Sequence, residues 1–240
     1  MINVIGAEFL KLRTIRAVWV ISVFTVGIPV LLVSFAPDPT AQMLLTSSFP
    51  SALLMGVIGV MCSTQEYSQG TIRITLAATP QRWKVFVAKV LVMTVTAAAL
   101  SGAILLLAHI TQGSNSSWNL ADTSANNAAF VTVAVLTAVI GTSLGLLLRS
   151  SPGAITAIVL WPTLLETLVA SLVILVFFDG DTPKWMKLPF TAGFDAVTLG
   201  IGSEPMAAES ISRLAGLSYL GGFAAILVIV SVVLFSRRDA

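Results

Sequence analysis

The chain has 240 residues, of which 56% are hydrophobic and only 10% are charged. A soluble globular domain carries roughly 25% charged residues, so this composition excludes an ordinary soluble enzyme and indicates a protein that lives in a membrane. The formal net charge of +2 is uninformative as a total, and no nucleic-acid partner is expected.

The first 16 residues predict a short amphipathic helix that lies on the cytoplasmic surface of the membrane. Its apolar residues recur at helical spacing on one side: Ile2, Ile5, Phe9 and Leu12. Its polar residues fall elsewhere: Glu8, Lys11 and Thr14. Basic residues of this segment would lie near anionic lipid headgroups. The alternative is an ordinary basic flank that only sets the topology.

Six apolar stretches follow, each close to the roughly 20 residues that a membrane-spanning helix needs. They are Ala17–Ala36, Met43–Thr64, Val90–Ile110 (within a span placed at 86–110), Asn126–Leu148, Gly153–Phe178 and Leu214–Phe235. The first is expected to be a retained span, because its apolar run exceeds that of a signal peptide. Backbone hydrogen bonds must be satisfied within each span, so the fold predicted is all-α: a polytopic bundle of six transmembrane helices forming a single domain over 1–240.

The basic residues are distributed unevenly between the two sides of this bundle. Ten of the thirteen fall on the side of the termini: Lys11, Arg13, Arg16, Arg73, Arg82, Lys84, Lys89, Arg149, Arg237 and Arg238. The opposite loops contain only Lys184, Lys187 and Arg213. The positive-inside rule therefore predicts that both termini are cytoplasmic.

Two connections are longer than simple turns. The outer connection, 179–213, contains three prolines and several apolar side chains, which predicts short helices that dip into or lie on the outer interface. The cytoplasmic connection, 65–84, contains Gly70, which would end one helix, and Thr71, which can cap the next. That next helix must be short, because Thr79-Pro80 starts another. It could meet a soluble partner through Arg73 and Thr75, or it could be a connector with no partner.

Glu166 is the one charged residue inside the six apolar stretches. An ionisable side chain there costs roughly 2.5–3.5 kcal/mol on insertion scales. It could be a proton site or a polar group facing substrate. The favoured interpretation is structural: a carboxyl group hydrogen-bonded to hydroxyl or backbone groups across a helix interface.

No catalytic, cofactor or metal site is predicted. The single cysteine, Cys62, reads as a small buried hydrophobe, and His109 has no partners at a workable ligand spacing. The chain has no Gly-x4-Gly-Lys-Ser/Thr phosphate loop, so any ATP hydrolysis would belong to another polypeptide. The motif Gly141-x3-Gly145 offers a close-approach face, either within one subunit or between two.

The cytoplasmic connection resembles that of a known family. The stretch Glu66-Tyr67-x-x-Gly70-Thr71-Ile72-Arg73, followed by Pro80-x-Arg82 and Ala88-Lys89, is similar to the cytoplasmic loop of type-2 ATP-binding-cassette (ABC) permeases. The six-span layout, the amphipathic start and the long last outer loop extend the resemblance over essentially the whole chain.

The resemblance implies a coupling helix that docks in a cleft of a nucleotide-binding subunit, a connecting helix at the N-terminus, and re-entrant helices in the last outer loop. The docking element would be Gly70–Leu76, with Glu66 and Arg73 as ionic contacts. The docking residues implied are Glu66, Gly70, Thr71, Ile72, Arg73, Thr75 and Leu76.

The function expected is therefore the permease subunit of an ATP-driven exporter in the plasma membrane of a bacterium. Two six-span subunits, identical or related, would pair above two soluble ABC ATPase subunits that hold the ATP and Mg²⁺. The substrate would be an amphipathic drug, peptide or lipid-like molecule that moves between the bundles, bordered by spans two and five. The alternatives are an intramembrane enzyme, which needs a partner for Glu166, and a non-transporting scaffold or receptor.

Overall fold

The computed structural model of the chain describes residues 1–37, 40–78, 81–112, 123–177, 187–199 and 212–237. Within these ranges every regular element is helical and no strand occurs, which confirms the predicted all-α class. The side chains of Arg73 and Leu76 lie outside the description, as do most residues of the outer connection.

The helices are listed here in chain order. They are α1 (Ile2–Thr14), α2 (Arg16–Ser34), α3 (Ala41–Ser68), α4 (Ile72–Ala78), α5 (Arg82–Gln112), α6 (Ser124–Leu148), α7 (Ser151–Leu160), a π-helical turn (Trp161–Leu165), α8 (Glu166–Phe177), α9 (Pro189–Thr198) and α10 (Arg213–Arg237).

Six helical segments of the described chain are long and apolar enough to cross a membrane. They are α2, α3, α5, α6, the continuous α7–π–α8 segment, and α10 as far as Ser236. This confirms a multi-pass membrane protein with six apolar helices. The helices extend beyond several of the apolar stretches seen in the sequence: α3 continues to Ser68, and α5 begins at Arg82.

Helices α3 and α6 form the centre of the bundle. In the most apolar stretch of each helix, 65% of the residues of α3 and 56% of those of α6 are buried, against 17–28% for the other four spans. A Cβ added to Gly141 of α6 would lie 2.0 Å from the carbonyl oxygen of Gly56, and one added to Gly59 of α3 would lie 2.4 Å from that of Ala138. Side chains therefore cannot occupy these positions, and the close-approach face of α6 packs on α3 within the same chain.

The fifth span is interrupted at its middle by the π-helical turn. Pro162 lies in this turn and has no backbone N–H, so a regular α-helical hydrogen bond cannot form there. Glu166 follows immediately as the first residue of α8. The local widening of the helix thus falls beside the one ionisable residue of this span.

Helix α9 packs against α10 and α6. A Cβ added to Gly216 of α10 would lie 2.4 Å from the carbonyl oxygen of Ala192, so α9 and α10 touch through their backbones. The aromatic ring of Phe190 is fully buried, and the rings of Phe194 and Phe49 make an edge-to-face contact at 4.1 Å. Helix α9 is therefore part of the packed bundle.

Candidate functional site

The short helix α4 lies between the two long helices α3 and α5. Helix α3 ends at Ser68, and Gly70 follows with a φ of +68°, a left-handed conformation that glycine adopts without strain. The carbonyl oxygen of Thr71 accepts hydrogen bonds from the backbone N–H groups of Ile74 and Thr75 and so starts α4. The chain thereby turns out of one spanning helix and forms seven helical residues before the next begins.

Behind α4 lies a group of four charged side chains, Glu8, Lys11, Glu66 and Lys89, which we name the four-charge cluster. Lys89 Nζ lies 2.8 Å from Glu8 Oε2 and 3.2 Å from Glu66 Oε2. Lys11 Nζ lies 2.7 Å from Glu8 Oε1 and also pairs with Glu66 Oε1. Each lysine contacts both glutamates, so charges of opposite sign alternate around a closed ring.

The four-charge cluster is largely buried, so all four of its charges are needed to compensate one another. The side chains of Lys89, Glu8 and Glu66 are 0%, 1% and 6% exposed, and only Lys11, at 37%, reaches solvent. Removing an unpaired ion from water costs several kcal/mol, and partners of opposite charge offset that cost. Two lysines and two glutamates leave the cluster with no net charge. Loss of any single member would leave an uncompensated charge in the interior.

The four-charge cluster joins three helices and contacts a fourth. Glu8 and Lys11 come from α1, Glu66 from the last turns of α3, and Lys89 from the first turns of α5. The Thr75 hydroxyl of α4 donates a hydrogen bond of 3.4 Å to Glu66 Oε1. The segments that surround the 65–84 connection are thus held together by one set of charges.

Helix α4 is anchored by its inner side and open on its outer side. Ile72 is buried in a small apolar cluster with Phe86, Leu146 and Phe235. In contrast, the side chain of Ile74 is 72% exposed. Ile74 is thus an exposed apolar side chain on a helix whose residue Ile72 is buried in the bundle.

The residues predicted for docking occupy different positions relative to this surface. Glu66 and Ile72 are buried, Thr71 and Thr75 are half-buried, and Gly70 is exposed at the turn. The side chains of Arg73 and Leu76 lie outside the described residues. The docking role of the set stays a prediction, and the structure adds Ile74 as the described apolar side chain that α4 presents outward.

A second polar site lies at the N-terminus of α9. Glu166 is 2% exposed. Its carboxylate accepts hydrogen bonds from the backbone N–H of Phe190 at 3.0 Å, and from the backbone N–H and hydroxyl of Thr191 at 2.8 and 2.9 Å. These are amides of the first turn of α9, which have no partners within their own helix. A negative charge at this end is also favoured by the helix dipole.

The C-terminus of α9 is held by side chains of complementary chemistry. Arg213 donates hydrogen bonds to the carbonyl oxygens of Ala196 and Leu199 at 3.1 and 2.9 Å. The Asn126 amide donates to the carbonyl oxygens of Val197 and Leu199 at 2.7 and 2.9 Å and accepts from Arg213. Helix α9 is thus clamped at both ends, with the carboxylate at its N-terminus and the guanidinium at its C-terminus.

The sequence analysis does not identify Glu8, Lys11 and Lys89 as members of the first site, or Asn126 and Arg213 as members of the second. The sequence pattern puts Glu8 on the polar face of α1, and it indicates Lys89 as a basic residue and as part of the family-like stretch, without a partner for either. One signal could have indicated the first site. Segments expected to contact the membrane contain charges of both signs, and such charges require partners when they are buried. Among the described residues, no three His, Cys, Asp or Glu side chains are grouped to hold a metal ion.

A comparison with protein-family models finds no match, and neither does a comparison with curated proteins. A proposed function for this chain therefore depends on the geometry above and on the resemblance of its cytoplasmic connection.

Proposed function

We propose that this chain is the permease subunit of an ABC exporter, driven by a separate ATPase that docks on α4. The observation that carries the proposal is the seating of α4: a seven-residue helix between two spanning helices, anchored inward by Ile72 and Thr75, with Ile74 exposed. Six apolar helices and the family-like stretch from Glu66 to Arg73 support the same assignment.

Within this proposal, α4 is the coupling helix and its residues divide into two roles. Ile74 enters an apolar pocket of the ATPase, and Arg73 supplies an ionic contact, since arginine is enriched among the residues that dominate binding energy at protein interfaces. Glu66 acts as a positioning residue, since its carboxylate is buried and paired with Lys11 and Lys89. It fixes α4 relative to the bundle and does not reach the partner.

The four-charge cluster then explains how motion at α4 would reach the membrane. ATP binding closes the ATPase pair and displaces α4. Because the cluster ties α1, α3 and α5 together next to α4, a displacement there shifts the cytoplasmic ends of these helices as one body. Helix α3 carries that shift into the centre of the bundle, where it packs on α6.

On the outer side, we assign α9 as a re-entrant helix. Glu166 begins α8, which ends eleven residues later at Phe177. At a rise of 1.5 Å per residue, Glu166, which contacts the N-terminus of α9, lies about 16 Å along the α8 axis from Phe177. In this proposal Glu166 is a structural carboxylate that holds α9 at this depth, and an outer gate opens by moving α9 with its clamp.

Exposed surfaces support further parts of the proposal. Helix α1 exposes Ile2 and Phe9, which enter the lipid as an interfacial helix. Both termini are placed in the cytoplasm on the distribution of basic residues. The fifth span exposes apolar side chains along much of its length, such as Leu172 and Leu175. That surface borders the path of an amphipathic substrate between two paired permease subunits.

The direct test is purification of the tagged chain from the membranes of its own source organism in mild detergent. We expect a soluble polypeptide to copurify that contains a Gly-x4-Gly-Lys-Ser/Thr phosphate loop, and we expect the complex to hydrolyse ATP. Isolation of the chain without such a partner, together with substrate transport by the chain alone in ATP-free vesicles, would refute the proposal.

A further inference from the structure

A cavity of about 570 Å³ opens beside the four-charge cluster. Its volume lies within the roughly 300–1,000 Å³ that small-molecule sites occupy. The turn between α1 and α2 forms one wall, and the end of α3 with α4 forms the other. Hydroxyl and amide groups of Thr14, Gln65, Gln69 and Thr71 line it, together with apolar side chains such as Ile74. The cavity is therefore large enough for a ligand and offers it both polar and apolar contacts.

The electrostatics of the cavity favour an anion. Arg16 lines the cavity, is exposed, and forms no ion pair or hydrogen bond with the described residues through its guanidinium group. Lys11 also lines it, and Glu66 is the one acidic residue among the lining side chains. The charge of Glu66 is already compensated, because both lysines of the cluster contact it. The guanidinium of Arg16 thus remains as a free cation at the cavity.

The cavity lies where the chain would pass from the membrane surface into the bilayer. Ile15 separates α1 from α2 with an extended backbone, and it lines the cavity together with Arg16 and Ala17 at the start of the apolar helix α2. Trp19, 58% exposed, donates its indole N–H to the carbonyl oxygen of Arg13. An exposed tryptophan at a span end is typical of headgroup depth.

We propose that this cavity binds the phosphate group of an anionic phospholipid headgroup, with Arg16 as its principal contact. Guanidinium groups bind phosphate through two parallel hydrogen bonds, and the nearby hydroxyl and amide groups can donate further ones. The acyl chains would extend along the exposed apolar surface of α2, which includes Val20 and Val23. The lipid would then contact both α1 and α4. Ile74 also lines this cavity, so the lipid would bind next to the proposed ATPase-docking residue, and lipid binding by the isolated chain tests the site without the ATPase.

The chain offers a matched pair of variants to test the site. Arg13 and Arg16 are both exposed, lie three residues apart at the same turn, and have the same charge, but Arg13 does not line the cavity. Arg16→Gln and Arg13→Gln should both leave the melting temperature unchanged. The purified full chain in a neutral detergent would be titrated with phosphatidylglycerol, and separately with phosphatidylcholine, and bound lipid would be counted by native mass spectrometry.

We expect one phosphatidylglycerol to bind to the wild type and to Arg13→Gln with equal affinity and in preference to phosphatidylcholine. Arg16→Gln should weaken that binding about fivefold or more, because one basic contact near anionic lipid contributes about 1 kcal/mol and a hydrogen-bonded pair contributes more. Inorganic phosphate is the competing probe. If inorganic phosphate displaces bound phosphatidylglycerol at a comparable concentration, the cavity is a phosphate site whose ligand is free phosphate. If phosphatidylglycerol resists displacement, the ligand is the lipid.

Two results would overturn the proposal. Equal weakening by Arg13→Gln and Arg16→Gln, or by neither, would show that basic residues attract lipid only diffusely. Unchanged lipid binding by Arg16→Gln, combined with weaker retention of a copurified protein, would show that the cavity receives a protein side chain.

Discussion

Lys89 and Glu8 form an ion pair of 2.8 Å although 81 positions separate them in the chain, and neither side chain is more than 1% exposed. This pair connects the N-terminal helix to the start of the third spanning helix. A membrane protein retains such a pair only if both charges remain compensated, since each is costly to bury alone. The fold is therefore sensitive to the loss of any one charge of the four-charge cluster.

Lys89→Met should lower the free energy of unfolding by about 3 kcal/mol or more, because Glu8 and Glu66 would share only Lys11 as a counter-ion. Equilibrium unfolding of the detergent-solubilised chain measures this change. Lys84→Met is the matched control, since Lys84 lies on the same helix but outside the cluster, and it should change stability by less than about 1 kcal/mol. Equal effects of the two substitutions would contradict the role assigned to the cluster.

A double-mutant cycle tests whether charge balance is the cause. The variant Lys89→Met with Glu8→Gln leaves one lysine and one glutamate, Lys11 and Glu66, which again compensate each other. We expect the double variant to be at least about 1 kcal/mol more stable than the sum of the two single losses predicts. Strictly additive losses would mean that packing, and not charge pairing, determines the effect.

Glu166→Leu should loosen α9, because the backbone N–H groups of Phe190 and Thr191 would lose their acceptor at a cost of about 2 kcal/mol. Hydrogen–deuterium exchange of the 187–199 segment measures this directly. Glu166→Gln keeps one acceptor oxygen but turns an NH2 group toward the other backbone N–H, so it should lose about 1–2 kcal/mol from one hydrogen bond and the charge–dipole interaction. If the carboxylate is structural, Glu166→Gln should also retain the transport rate and its pH profile. A shifted pH profile would instead support a proton site.

Gly141→Ala should disrupt the centre of the bundle, because the added Cβ would lie 2.0 Å from the carbonyl oxygen of Gly56. We expect a loss of about 3 kcal/mol or more, since the backbone of α3 would have to move. Gly102→Ala on α5 is the control: nothing lies within 4 Å of its added Cβ, and alanine is the better helix former by about 0.8–1.0 kcal/mol. Thermal unfolding of both variants would show whether close contact is the reason that glycine is required.

The six apolar helices are predictable from the sequence because the length of an apolar run and the absence of charge decide them locally. The pairing of charges is not local. Lys89 and Glu8 become partners only when α1 folds against α5, and until then each reads as an ordinary charge near a membrane surface. The same holds for Arg213 and Asn126, which meet at the C-terminus of α9 across 87 positions.

The apolar residues of α1 follow one helical spacing in the sequence, but they belong to two different surfaces of the structure. The four of them share one side of the helix in the sequence pattern. In the structure Leu12 is buried and Ile5 packs against the core, whereas Ile2 and Phe9 are exposed. Glu8 lies on the buried side because its counter-ions, Lys11 and Lys89, are there. Helical spacing indicates which residues share a face, but not which neighbour covers each part of it.

The central claim is that α4 docks an ATPase through its exposed face, and substitution of Ile74 tests it most directly. Ile74 is 72% exposed and has no part in the four-charge cluster, so neither Ile74→Asp nor Ile74→Leu should unfold the chain. Copurification of the ATPase and the ATP turnover of the complex would be measured for the wild type and both variants. We predict that Ile74→Leu retains the ATPase and that Ile74→Asp loses it by about tenfold or more, as expected for an apolar anchor. Full retention of the ATPase by a folded Ile74→Asp variant would contradict the account.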